Sequence, residues 1–178
     1  MDVQDQTPAA TSPSLPQQWQ PPDENKFKVN FDAAVFKSCN QVGLGVIVRD
    51  WRGEAIGALS TSVPATQTVV ELEALACRRV VLFAMELGLQ DVVFEGDSLQ
   101  VIQALNLDST DHLTYGHILE DIRTHVAALF SFEFIFNTRH CNVVADALAK
   151  KAKNCRETRV WTDFMPEDIV YLVIFDIH

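Results

Sequence analysis

No stretch of the 178 residues approaches the roughly 18 consecutive apolar positions that a membrane-crossing helix needs, so no membrane partner is expected. No CxxC pair occurs, and none of Cys39, Cys77, Cys141 and Cys155 stands at zinc-finger spacing to a histidine. Such scattered thiols read as small buried residues of an intracellular protein in a reducing compartment. The opening stretch MDVQDQTPAATSPSLPQQWQPPDEN lacks the basic start and apolar run of a secretory signal. Its Pro, Gln, Ser and Thr content reads instead as a disordered leader over residues 1–18. No signal separates nucleus from cytoplasm. Positive charge is also scarce. The formal net charge of -10 excludes a protein that grips nucleic acid by phosphate neutralisation alone, so any such role must come from a local site. An acidic chain does suit divalent cations, which take clustered carboxylate oxygens. Internal repeats and coiled-coil heptads are absent.

What remains, 48% hydrophobic and 21% charged, suits a single domain with a sizeable core. The domain is expected over residues 19–154, with folding beginning near Lys26. The stretches KVNFDAAV, VGLGVIVRD and WRGEAIGALSTS read as a three-strand antiparallel meander with a tight turn over Asp50–Gly53 and glycines thinning the strands. A long helix follows from about Thr68 to Leu87, closed by Gly88. DVVFEGDS reads as a strand ending at Asp97, LQVIQALN as a helical turn or two and YGHILEDIRTHVAALF as an amphipathic helix. FEFIFNTR is a further strand, and CNVVADALAKKAK a helix whose basic end suits its dipole. The order β-β-β-α-β-α-α-β-α is that of a mixed α/β sheet packed by helices.

Asp32, in the middle of KVNFDAAV, is out of place, because Asp is disfavoured in strands. A strand Asp marks either a chain turning into a loop or a carboxylate held for chemistry. Three further acids bear on the choice: Asp97 at a strand end, Asp146 in VADALAK, and one of Glu71 and Glu73 in VELEAL. Helix phase separates the last two. Four, seven, eight and eleven residues after Glu73 come Cys77, Val80, Val81 and Ala84; after Glu71 come Leu75, Arg78, Arg79 and Leu82. The first set is apolar throughout, so Glu73 points inward. Taken singly, Asp97 could cap a helix, Asp146 be solvated and Glu73 compensate a dipole. Their joint spacing and fold order favour one site at the strand ends.

From about Trp19 to His178 the chain resembles the type 1 ribonuclease H domain, in the version found in plant non-LTR retrotransposon proteins and their stand-alone relatives. The matching pieces are WQPP, FKVNFDAAV, GLGVIVRDWRGEAIGA, LEALACRRVVLFAMELGLQDVVFEGDSLQVI and RHCNVVADALAKKA, in the family's order and spacing. The resemblance implies a five-stranded mixed sheet with its first three strands antiparallel. It implies four metal-binding catalytic acids, Asp32, Glu73, Asp97 and Asp146, and two Mg²⁺ ions for which Mn²⁺ can substitute. In that scheme Asp32 bridges both ions, Glu73 and Asp97 hold the one near the leaving group, and Asp146 the one near the attacking water. The implied substrate is the RNA strand of an RNA/DNA hybrid, read through its 2'-hydroxyls. Ser98, Arg139 and Asn142 are the polar residues expected beside substrate or in support of the site.

The chain departs from cellular ribonucleases H at Val69 and Val70, where asparagines are common. It also departs at His140, only six residues ahead of Asp146. A second hypothesis is therefore a domesticated, catalytically weak module, derived from a retroelement, that binds nucleic acid or a partner protein. Retention of all four acids favours the enzyme. A 3'-to-5' exonuclease on a related fold is disfavoured by the strand order and the EGDS context. Residues 155–178 form an apolar tail expected to fold back on the domain, with Trp161, Phe164, Ile169, Tyr171 and Leu172 as cover. The alternative is a tail that binds a protein partner. A monomer is expected.

Overall fold

The computed structural model describes residues 18–65 and 68–177; the expected leader falls, but for Gln18, outside them. The meander is built from β1 (Phe27–Phe36), β2 (Gln41–Arg49) and β3 (Ala55–Pro64), paired antiparallel. Asp50 makes the β2–β3 turn: its carboxylate accepts from the amides of Arg52 at 2.8 Å and Glu54 at 3.0 Å, and Gly53 takes the left-handed φ of 82° that the turn requires. β4 (Asp91–Gly96) then lies parallel to β1, and β5 (Ser131–Phe136) parallel to β4.

The sheet has six strands rather than five, in the order β5-β4-β1-β2-β3-β6. The additional β6 (Arg159–Trp161) pairs antiparallel with Ala58–Ser60 of β3. At three residues it is too short for alternation to be read from sequence. What places it is the approach: Ser62 Oγ donates to the Cys155 carbonyl at 2.8 Å, and the Thr61 and Thr158 hydroxyls meet at 2.8 Å.

Alternation along the strands sorts the core into two layers. Val29, Phe31, Val46, Val48, Leu59 and Phe94 face α1 (Val69–Glu86) and α3 (Gly116–Val126), with α2 (Leu99–Leu105) beside them. Thr68 starts α1 with a capping box to Glu71. Cys77, Val80, Val81 and Ala84 are fully buried, the phase that turns Glu73 inward.

Ile47 and Ala58 face the opposite layer, α4 (Val143–Lys151), backed by α5 (Glu167–Ile177) through Ile169 and Val173. Phe164 and Tyr171, expected as cover for the domain, are exposed. Gly43 and Gly45 do more than thin β2. A Cβ there would stand 2.1 Å from the carbonyl oxygens of Ala149 and Ala145, so α4 rests directly on the strand backbone.

Order begins before Lys26, because Trp19 is 2% exposed. Its indole donates to Asn30 Oδ1 at 2.9 Å, and the Arg49 guanidinium lies 3.6 Å from its ring centre. Arg49 donates to Asn30 at 3.1 Å and pairs with Asp176 of α5 at 2.7 Å; Lys28 pairs with Glu95 at 3.1 Å. This buried polar network ties both ends of the described chain to the sheet. Among the described residues, no helix is long and apolar enough to cross a membrane. Cys77, Cys141 and Cys155 are buried and Cys39 is exposed.

Candidate active site

Parallel pairing brings the C-terminal ends of β1 and β4 side by side: Phe31 is in register with Gly96, so Asp32 and Asp97 each follow a matched pair. Asp32 continues the face that carries Lys28 and Asn30, on the α4 side of the sheet. Its partner across β2 is Gly45, where the Ala145 carbonyl makes its close approach. The contact at glycine thus delivers the next residue, Asp146, to the neighbourhood of Asp32. Asn142 fastens the same helix start. It is 1% exposed, and its amide donates to the Phe31 carbonyl at 2.8 Å, one residue before Asp32. It supports the site from below rather than reaching a surface where substrate could lie.

Asp32, Glu73, Asp97 and Ser98 line one small cleft, with Phe31, Ala33 and Ala76 as its apolar walls. Asp32 is 6% exposed and its carboxyl is pushed up to about 7, first by burial and then by the charges of Asp97 and Asp146, against the Ala33 amide that donates to it at 2.8 Å. Glu73 is raised as well, chiefly by burial and further by Asp97, while the Ser98 hydroxyl that donates to it lowers it. Asp97 faces the Arg139 guanidinium at 3.6 Å, and Asp146 is bridged by Lys150, one helical turn on, at 2.5 Å. Lys150 was readable in sequence only as dipole compensation; its i,i+4 spacing from Asp146 was the signal for this second role.

All four expected acids and the expected Ser98 and Arg139 therefore meet at one end of the sheet. Each carboxylate is engaged by the chain's own groups: Glu73 by Ser98, Asp97 by Arg139, Asp146 by Lys150, Asp32 by the Ala33 amide. Among the described residues, no group of three or more His, Cys, Asp or Glu side chains is arranged as it stands to hold a metal ion. The donor set nevertheless fits a hard divalent cation. It consists of carboxylate oxygens, and the repulsion that raises Asp32 is the kind that such a cation relieves. His140 lies exposed on the single helical turn Arg139–Cys141, and Val69 is exposed at the start of α1.

Residues 30–152 match the family model described as reverse transcriptase-like. No curated protein matches the chain. Among solved structures, the RNase H1 of the halophilic archaeon Halobacterium salinarum NRC-1 is 21% identical with a TM-score of 0.64, over 71% of this chain and 96% of its own. The N-terminal RNase H domain of Rv2228c from Mycobacterium tuberculosis is 17% identical, TM-score 0.59, over 71% and 92%. LC11-RNase H1 in complex with an RNA/DNA hybrid is 19% identical, TM-score 0.60, over 71% and 95%. At these identities the likeness is one of fold.

Proposed function

The chain belongs to the reverse transcriptase-like family and has a ribonuclease H-like fold, and from its carboxylate cleft we propose that it is a divalent-metal-dependent endonuclease hydrolysing the RNA strand of RNA/DNA hybrids. The observation that carries the reading is the burial of Asp32 among Asp97 and Asp146 at the strand ends, with Glu73 in the same cleft. A strand carboxylate pushed up to about 7, first by burial and then by the charges of Asp97 and Asp146, disfavours the fold that holds it, and such groups concentrate at functional sites.

Asp32, Glu73, Asp97 and Asp146 would hold Mg²⁺, two ions in the full complement. When bound, the metal supplies an activated water and stabilises the leaving oxygen of a phosphodiester. The chain does the rest. β1 and β4 fix Asp32 and Asp97 from rigid strand ends, and α4, seated on Gly43 and Gly45, fixes Asp146. Arg139 and Lys150, once released from their carboxylates, are exposed cations beside the cleft and suited to phosphates. The Ser98 hydroxyl, now on Glu73, is a donor within the cleft for a sugar hydroxyl. Recognition through 2'-hydroxyls and phosphates would be tolerant of sequence.

The test is a set of end-labelled duplexes incubated with Mg²⁺ or Mn²⁺. Shortening of the RNA strand in a hybrid, with its DNA strand and both all-DNA and all-RNA duplexes left whole, is the expected result. Cleavage of the DNA strand, or equal cleavage of every duplex, would overturn the assignment. The second reading, a weak module that binds without cutting, draws on the internal partners that engage all four acids; hybrid binding without cleavage in either metal would select it.

A further inference from the structure

The segment Arg159 to Ile177 lies beyond the family match and carries apolar groups on two opposite sides. Ile169, Val173 and Asp176 face the domain, the first two against Ile47, Val144 and Leu148, the third on Arg49. The side turned away carries Val170, Tyr171, Ile174 and Phe175, all exposed, the last at 75%; Phe164, just before the helix, is 86% exposed. Positions 167, 170, 171 and 174 follow at spacings of three and four, so this outer stripe starts at Glu167 and runs up the helix. No Lys or Arg occurs in α5. Its charges are Glu167, Asp168 and Asp176, and exposed Asp163 precedes it.

We infer that this outer stripe of α5 is the docking surface for an amphipathic, Lys- and Arg-rich helix of a nucleic-acid-binding partner protein. A contiguous exposed apolar stripe at helical spacing is the shape that a second helix covers. Charge chooses the partner. A second copy of this chain would set Asp163 and Glu167 against like charges and bring one net charge of -10 against another. A basic helix reverses both terms: its cations meet Asp163 and Glu167, and the body it belongs to brings the positive surface that holding phosphates demands. The usefulness of that surface rests on the ribonuclease reading; the docking chemistry does not.

Two synthetic helical peptides with the same leucine stripe, one with lysines and the other with glutamates at the remaining positions, serve as probes for the full chain. Fluorescence anisotropy at 150 mM salt reads their binding, with Ile174→Asp/Phe175→Asp as control; both residues are exposed, and circular dichroism checks that the double variant is folded. The leucine–lysine peptide should bind the wild type at least tenfold more tightly than it binds the double variant, and tenfold more tightly than the wild type binds the leucine–glutamate peptide. Equal binding by wild type and double variant would place the peptide on the acidic surface at large and overturn the inference. So would equal binding of both peptides, or capture of the wild type by phosphatidylcholine vesicles. Sedimentation showing a wild-type dimer that the double variant does not form would assign the stripe to a second copy and overturn it too. No nucleic acid enters the assay, so its failure leaves the ribonuclease reading standing, and loss of that reading leaves this result interpretable.

Discussion

Asp32→Asn should stabilise the metal-free protein, and by an amount that depends on pH in a stated direction. The Asp32 carboxyl moves from an ordinary 3.8 to about 7 on folding, because it is buried and faces Asp97 and Asp146. Between those two values the folded state holds a proton that the unfolded state has released, so wild-type stability falls as pH rises through the window. A shift of about 3 units at 1.36 kcal/mol per unit amounts to about 4 kcal/mol, complete above pH 7 and absent below pH 4. Asn has no such proton and keeps an oxygen for the Ala33 amide, which donates to Asp32 at 2.8 Å. In EDTA, thermal melts followed by circular dichroism from pH 4.5 to 8.5 should give nearly equal midpoints for the two proteins at the acid end. At pH 8 the variant should melt about 8 °C or more above wild type, taking about 2–4 °C per kcal/mol for a chain of this size. Millimolar Mg²⁺ should raise the wild-type midpoint and leave the variant unmoved, since only the state that binds the ion is stabilised by it. A difference that does not change with pH, or a variant less stable than wild type at pH 8, would show that folding does not raise the Asp32 carboxyl.

Three other outcomes follow from the packing. Gly45→Ala places a methyl where the Ala145 carbonyl stands 2.1 Å away; it should displace α4, cost about 1–3 kcal/mol in urea melts and lower cleavage with Asp146 out of place. Asp176→Ala leaves the fully buried Arg49 guanidinium without its ion pair and should cost about 3–5 kcal/mol, measured the same way. Asn142→Ala removes the bond to the Phe31 carbonyl and should cost about 1–3 kcal/mol, with a fall in cleavage larger than the stability loss explains at temperatures where the variant is fully folded.

Local periodicity carried much of this structure into the sequence. The choice of Glu73 over Glu71 needed only the helix period, and the buried Cys77, Val80, Val81 and Ala84 show the phase at work. Asp32 announced itself as a carboxylate where strands disfavour one. What stayed hidden depends on contacts between distant segments. The nearness of α4 to β2 rests on two glycines whose missing side chains leave no pattern of their own. The sixth strand is three residues long and is placed by hydroxyls of β3 and the segment leading to it. Trp19 stands at the expected start of the domain, but nothing local marks its burial, because its partners, Asn30 and Arg49, are 11 and 30 positions away. The bridge from Arg139 to Asp97 spans 42 positions and was likewise unreadable, whereas the i,i+4 spacing of Lys150 from Asp146 did signal the other, behind the more obvious helix-dipole reading.

Whether the four acids form one metal-dependent, RNA-cleaving centre is decided by comparing wild type with Asp97→Asn on an RNA/DNA hybrid labelled in its RNA strand, with Mn²⁺ and with EDTA. The substitution keeps the shape of the side chain and takes away one anionic ligand. Wild type should cut the RNA in Mn²⁺ and not in EDTA, while Asp97→Asn, folded and melting at or above the wild-type temperature without metal, should leave the strand whole. A folded wild type that leaves the hybrid intact in Mn²⁺, or an Asp97→Asn protein that cuts it at the wild-type rate, would show that these acids are not such a centre.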